Sequence, residues 1–256
     1  MISLSVQGVR VTRIGLDGSA EPRDDVVACD VAVCVFVNDE PYRTFVASPG
    51  MAEELAWGHM FTEGLISSTD EVEGMNVSPT RVDVTLTKPV DIQAINMGRS
   101  TLLTTACGSP SRTRGEKAKL KKVERARKVD PVLIQDIIGA LNERSAVFRE
   151  TGGTHSALLY REGEGVVAFS EDVGRHNALD KVIGAAIMRK VDLGGCILAS
   201  SGRLSGEMVL KAVEAGIPII CSVSAPLLSG IRIAEAAGVT LIGFVRGRRM
   251  NQYTCL

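Results

Sequence analysis

Aromatic residues are scarce in this chain. Ten among 256 residues, 4%, leave little material for platforms that stack nucleobases. An excess of basic charge is missing too. The 29 Lys and Arg face 30 Asp and Glu, a formal net charge of −1, which argues against a protein that coats DNA or RNA. No apolar run reaches the roughly eighteen residues of a membrane-spanning helix, so no membrane association is expected. The start, Met1-Ile2-Ser3-Leu4-Ser5-Val6, lacks the basic segment, apolar stretch and cleavage site of a secretion signal, and a cytoplasmic location is expected. There is no Cys-x-x-Cys, no P-loop Gly-Lys-Ser/Thr, no Gly-x-Ser-x-Gly, and no His-x-Glu paired with Pro-Cys-x-x-Cys. Zinc catalysis and ATP hydrolysis of the common kinds are therefore disfavoured, and no metal site is expected.

What is present describes a globular protein. With 45% hydrophobic and 23% charged residues the chain is too apolar for disorder, and its length allows one or two domains. Glycine, at 26 residues, points to many tight turns or close backbone approaches to a ligand. Of the six cysteines, Cys29, Cys34, Cys196 and Cys221 lie in apolar, β-branched runs and are expected to be small buried hydrophobes. Cys255 sits next to the chain end. Cys107 differs, lying among small and hydroxylated neighbours in Thr104-Thr105-Ala106-Cys107-Gly108-Ser109-Pro110-Ser111-Arg112. Arg112, Arg114 and Lys117 would favour its thiolate, the nucleophilic form.

The first hundred residues read as mostly strand. Val26 to Val37 is rich in β-branched residues, and Asn38-Asp39-Glu40-Pro41 turns it into Tyr42 to Val46. Ser48-Pro49-Gly50 predicts a helix start, with Ser48 as cap, Pro49 at the first position and Gly64 as the stop. Arg81 to Thr87 alternates as a half-buried strand. From Arg112 to Lys128 there are nine basic and two acidic residues, either a solvated helix or a lid. Asp130-Pro131 then caps the amphipathic segment Val132 to Phe148. Ser156 to Tyr160 and Val166 to Ser170 predict a hairpin, and Asn177 to Arg189 a helix. Strands at Cys196 to Ala199, Ile217 to Val223 and Val239 to Val245 alternate with helices at Ser205 to Ala215 and Leu227 to Ala237. This alternation implies parallel strands with right-handed crossovers.

Ligands of open parallel sheets bind beyond the carboxyl ends of the strands. The segments there are Ser200-Ser201-Gly202-Arg203, Ser222-Val223-Ser224-Ala225-Pro226 and Arg246-Gly247-Arg248-Arg249. Their arginines, hydroxyls and helix starts would suit a nucleotide-like or other phosphorylated ligand. His155, after Thr151-Gly152-Gly153-Thr154, and His176, within Glu171-Asp172-Val173-Gly174-Arg175-His176-Asn177, read as metal ligands, as acid–base groups or as hydrogen-bonded structural residues.

Several of these stretches resemble one family. They are Phe61-Thr62-Glu63-Gly64-Leu65-Ile66, Thr104-Thr105-Ala106-Cys107-Gly108, Thr151 to Ala157, Glu171 to Lys181, Ser201 to Ser205, Ala215 to Ile219, Ser222 to Pro226 and Gly243 to Gly247. Together, in order from about Asp30 to Thr254, they resemble the formate dehydrogenase accessory sulfurtransferases, the FdhD-type proteins. The resemblance implies a sulfur carrier. A cysteine desulfurase would load Cys107 as a persulfide. The sulfur would then pass to a molybdenum or tungsten bis-pterin guanine dinucleotide cofactor before its insertion into formate dehydrogenase. The resemblance assigns cofactor binding to Phe244, Val245, Arg246, Gly247, Arg248 and Arg249, which join Ser201, Gly202, Arg203, Ser222 and Ser224 from the strand-end reading, with a GDP-like moiety as the ligand. The implied fold is α/β: a three-layer, cytidine-deaminase-like C-terminal domain with a smaller strand-rich N-terminal domain. The expected boundaries are residues 1–98 for the smaller domain, 99–129 for a mobile basic loop carrying Cys107, and 130–256 for the α/β domain.

The chain departs from the family pattern at Pro110, where many members carry the second cysteine of a Cys-x-x-Cys. A persulfide needs one sulfur nucleophile, so the departure removes only a resolving partner. Two other classes stay open on the residues. One is a cofactor-binding chaperone without sulfur transfer; the other, weaker, is a zinc-dependent deaminase-like hydrolase. A homodimer is the expected oligomer.

Overall fold

A computed structural model describes residues 5–97, 120–123 and 130–255. Cys107 and most of the basic stretch after it lie outside the described residues.

The first half contributes two sheets. Strands β1 (Val6–Ile14) and β2 (Ala20–Ala28) pair antiparallel only with each other, in an exposed ribbon. Strands β3 (Val31–Val37) and β4 (Glu40–Ala47) follow, then helix α1 (Ala52–Thr62), strands β5 (Val72–Ser78) and β6 (Arg81–Leu86), and the short helix α2 (Ile92–Met97). The sheet order is β4-β3-β6-β5, with β3 and β6 parallel. Period-two alternation sends Val33, Val35, Val37, Val82, Val84 and Leu86 to one face, where Leu55, Ala56 and Met60 of α1 cover them. The strand-rich reading of this half holds, with one change. The run Val26 to Val37 is not a single strand, because it breaks at Cys29-Asp30 and its two parts join different sheets.

The second half is one six-stranded sheet with helices on both faces. Helices α3 (Pro131–Arg144) and α4 (Ala146–Thr151) lead into the hairpin β7 (His155–Arg161) and β8 (Gly165–Asp172). Helix α5 (Arg175–Met188), strand β9 (Cys196–Ser200), helix α6 (Gly206–Glu214), strand β10 (Ile219–Ser222), helix α7 (Leu228–Ala237) and strands β11 (Thr240–Arg246) and β12 (Arg249–Gln252) complete the chain. The order is β12-β11-β10-β9-β7-β8. Strands β9, β10 and β11 are parallel as expected, whereas β7, β8 and β12 run antiparallel to their neighbours. One sheet face packs on α3 through Ile134, Ile137, Ile138 and Leu141; the other packs on α5, α6 and α7. The architecture is α/β. Among the described residues no helix is long and apolar enough to cross a membrane.

The two halves meet at α1 and α5. A Cβ on Gly58 would overlap the Asp180 carbonyl, and one on Gly184 would overlap that of Glu54, so the backbones touch where both helices carry glycine. Trp57 and Phe61 of α1 pack against the cores of both halves.

Local expectations at two termini are corrected. Helix α1 starts at Ala52, after Met51 in the left-handed region (φ 57°), so Ser48 is no cap and Pro49 is no first residue. Ser48 instead lies buried and bonded to β8 and α5. Asp130 does cap α3, accepting the Val132 N–H at 2.9 Å. The helix predicted to run on to Phe148 ends at Arg144, because the Ser145 hydroxyl turns back to the Leu141 carbonyl at 2.7 Å. Cys196 and Cys221 are buried as expected, and desolvation pushes their thiols up to about 11 and about 12. Cys29 and Cys34 are only half-buried, since both sit where β-structure meets solvent.

Candidate functional site at the strand ends

Strand register gathers the loops at one end of the large sheet. Ser222 pairs with Ser200, Ala157 with Ser200, and His155 with Asp172. The carboxyl ends of β8, β9, β10 and β11 therefore lie beside the start of β7. That brings together His155 at the start of β7, Arg175 and His176 in the first turn of α5, and the segments Ser201 to Arg203, Ser222 to Pro226, and Arg246 to Arg249.

Two buried ionic clusters support this end from below. Asp172, fully buried, has four partners. Its Oδ1 accepts the Gly174 N–H at 2.8 Å and Asn177 Nδ2 at 2.9 Å; its Oδ2 accepts the Ser48 N–H at 3.0 Å and lies 2.7 Å from Lys181 Nζ. Lys181 also donates to the Ser48 carbonyl at 2.9 Å, and Asn177 to the Val46 carbonyl at 2.8 Å. Asp180 sits lower on α5. It accepts Lys211 Nζ at 2.9 and 3.0 Å, the Thr62 hydroxyl at 2.8 Å and His59 Nδ1 at 3.1 Å. Lys211 reaches Glu63 as well, at 3.1 Å. Burial alone would raise the Asp180 carboxyl, but the Lys211 ammonium and His59 overcome it and hold the group at about 2. The same contacts keep Lys211 charged against its own desolvation.

The long stretch Glu171 to Lys181 is thus divided in its work. Asp172, Asn177, Asp180 and Lys181 fasten the halves together. Glu171 accepts the Val147 and Phe148 N–H groups at 3.0 and 2.8 Å, the start of α4 that Ser145 leaves uncapped. Arg175 and His176 lie close to His155. His59 and Lys211 were not singled out by the sequence, because a histidine and a lysine on separate helices carry no motif.

In the cleft, Ser201 is half-buried and bonded to His155 Nδ1 at 3.3 Å and to the Ser156 N–H at 2.9 Å. Burial lowers the His155 pKa, and the nearby Arg175, His176 and Arg203 lower it further against Asp172. His176 Nε2 lies 3.2 Å from Glu207 Oε2, off the hydrogen-bonding direction, so no aligned hydrogen bond joins the two. Gly202 donates its N–H to Ser200 Oγ at 3.1 Å and its carbonyl accepts the Ser222 hydroxyl at 2.7 Å. Ser222 is fully buried and also accepts the Ser224 N–H at 2.9 Å, so its hydroxyl joins the loops to each other. Val245 likewise belongs to the core.

The arginine segment is a hairpin turn between β11 and β12, with Gly247 at φ 57° and Phe244 at φ 53°. Arg246 Nε donates to the Val223 carbonyl at 2.7 Å, tying this turn to the loop after β10. Arg203, Arg246, Arg248 and Arg249 are all exposed. Between the turn and α3 lies a cavity of ≈370 Å³ lined by Gln135, Asn142, Val223, Val245, Arg246 and Gly247 among others. The loops after β9 and β10 lead into helices within one residue of the expected starts: α6 begins at Gly206 and α7 at Leu228. Leu204 and Pro226 pair as a short parallel bridge between them. The arrangement offers exposed guanidinium groups, a half-buried imidazole and backbone amides, chemistry suited to an anion. No cluster of three or more metal-ligating side chains occurs among the described residues.

Comparison with known proteins gives one result. The model of the FdhD/NarQ family matches residues 28–255. The sulfur carrier protein FdhD of Saccharolobus solfataricus is 37% identical over 96% of this chain and 97% of its own length. That of Sulfolobus acidocaldarius is 34% identical over 98% and 97%. Among solved structures, a candidate formate dehydrogenase accessory protein from Desulfotalea psychrophila superposes with a TM-score of 0.78 at 25% identity, covering 98% of this chain and 97% of that one. With a family match across nearly all its length and relatives above 30% identity, this chain belongs to the FdhD/NarQ family.

Proposed function

We propose that this protein is a sulfur carrier serving formate dehydrogenase, working in the cytoplasm. A cysteine desulfurase loads Cys107: the thiolate attacks the outer sulfur of the donor's persulfide, the donor S–S bond breaks, and the donor leaves as a thiolate. Cys107 then carries the terminal sulfur to a molybdenum or tungsten bis-pterin guanine dinucleotide, which is the cargo. The cofactor's guanine nucleotide part rests at the strand ends, against Ser201 to Arg203, Ser224 and Phe244 to Arg249, with Ser222 holding those loops in place. The carrying observation is the convergence of the SSGR, SVSAP and VRGRR loops on one end of the sheet, in a chain of this family. The α/β half is read as a three-layer, cytidine-deaminase-like domain of residues 130–256, beside a smaller domain of residues 1–98 and a basic loop of residues 99–129. The working unit is a homodimer.

The test has two arms. After incubation with a desulfurase and cysteine, mass spectrometry is expected to show one added sulfur on the wild type and none on Cys107→Ser. Equal loading of the variant would overturn the carrier role. Arg203→Ala and Arg246→Ala are expected to load normally but to bind GDP more weakly, by roughly 1.5–3 kcal/mol each in calorimetry. If the protein binds GDP but never takes up sulfur, it is a cofactor chaperone instead.

A further inference from the structure

The way the His155 ring is held says which of its nitrogens is free. Ser201 Oγ, 3.3 Å from His155 Nδ1, already accepts the Ser156 N–H at 2.9 Å. A serine hydroxyl has one proton to donate. Among the described residues its only acceptor within reach is His155 Nδ1. With the hydroxyl proton placed on this bond, Nδ1 is the acceptor and the ring's own proton sits on Nε2. Nε2 has no hydrogen-bond partner among the described residues and is not one of the fully buried unpaired atoms, as His176 Nε2 is. Arg175 and His176 from α5, Arg203 after β9 and Asp172 from β8 are the charged or titratable groups around it; burial, and after it Arg175, His176 and Arg203, disfavours a second proton.

Building on the cofactor reading above, we propose that His155 is a neutral hydrogen-bond donor to a phosphoryl oxygen of the bound nucleotide, with Ser201 as the positioning residue that fixes its tautomer. The arginines meet the ligand's charge, and the histidine adds direction without charge. Binding through this group therefore does not weaken as pH rises through neutrality, where an imidazolium would release its ligand.

The experiment joins two readouts on the full chain. Long-range ¹H–¹⁵N spectra of the histidines at pH 7 are expected to show His155 neutral and protonated on Nε2. An imidazolium, or a proton on Nδ1, overturns the proposal. Calorimetry uses diguanosine diphosphate, whose bridging phosphates do not titrate near neutrality. His155→Phe is expected to lose roughly tenfold or more in affinity, and His155→Gln, which keeps an amide donor in place of Nε2, to recover part of it. Ser201→Ala should lower affinity and mix the tautomers. Unchanged affinity in His155→Phe removes the donor role, and an unchanged spectrum and affinity in Ser201→Ala removes the positioning role. A wild type that does not bind the probe at all refutes the cofactor reading and the donor role with it, whereas the spectrum decides the tautomer independently.

Discussion

Asp180 is, with Asp172, one of the two buried carboxylates among the described residues that hold the interior together. It is 1% exposed and holds its charge only because Lys211, Thr62 and His59 surround it. Removing one partner of such a pair strands the other. Asp180→Ala is expected to cost about 3–5 kcal/mol in urea unfolding, with Lys211→Met/Asp180→Leu costing less than Asp180→Ala alone. The pH dependence has a definite sign. The folded pKa of about 2 lies below the unfolded value, near 3.8, so this stability is complete above the unfolded value and is lost as pH falls toward 2. Glu63, its pKa lowered beside Lys211 and His59 despite burial, adds in the same direction. Acid titration of unfolding is expected to show the wild type losing this increment below pH 4, and Asp180→Ala losing less. None of this could be read from the sequence. The residues are far apart along the chain, and Thr62-Glu63 and Asp180-Lys181 stand inside motifs that look catalytic but are structural.

At the scale of elements, periodicity was informative wherever one face is buried. β6 alternates because Val82, Val84 and Leu86 share a core, and the three parallel strands read as apolar runs because helices cover both faces. The β1–β2 ribbon was not anticipated, since its strands bury almost nothing and so impose no alternation. Strand β12 escaped for the same reason, with three of its four residues exposed. Within the described part of the basic stretch, Lys121 and Lys122 donate to the Glu214 and Ala236 carbonyls at 3.0 and 2.7 Å, at the negative ends of α6 and α7. Glycine placement decides the helix pair. Gly58→Ala and Gly184→Ala would ordinarily gain helix propensity, roughly 1 kcal/mol. Here each Cβ meets the facing backbone, and each substitution is expected to lower the thermal midpoint, with a net loss of about 1–3 kcal/mol.

Across the whole molecule, the strand-rich half and the α/β half share a helical layer. Strands β3, β4 and β6 face α1, α1 faces α5, and α5 faces the large sheet. The ions of Asp172, Lys181, Asp180 and Lys211 lie in or beside that layer. We therefore expect a single calorimetric transition whose van't Hoff and calorimetric enthalpies agree. Two separate transitions would show that residues 1–98 and 130–256 are independent cooperative units. The same layer ties the candidate site to the first half, since Ser48 and Val46 accept from Lys181 and Asn177 on α5, the helix whose first turn bears Arg175 and His176.

The sequence by itself determined the alternation of strands and helices, the caps at Asp130 and Gly64, and the polar, arginine-bearing character of the loops beyond β9, β10 and β11. Those are local properties, written in hydrophobic period and turn chemistry within a few residues of one another. Only the tertiary structure decided which motif residues face the cleft and which are consumed inside. That choice depends on partners more than a hundred positions apart, such as Ser48 for Asp172 and His59 for Asp180. An ionic side chain has the same formula in either place; the neighbours that desolvate or neutralise it are supplied by the fold.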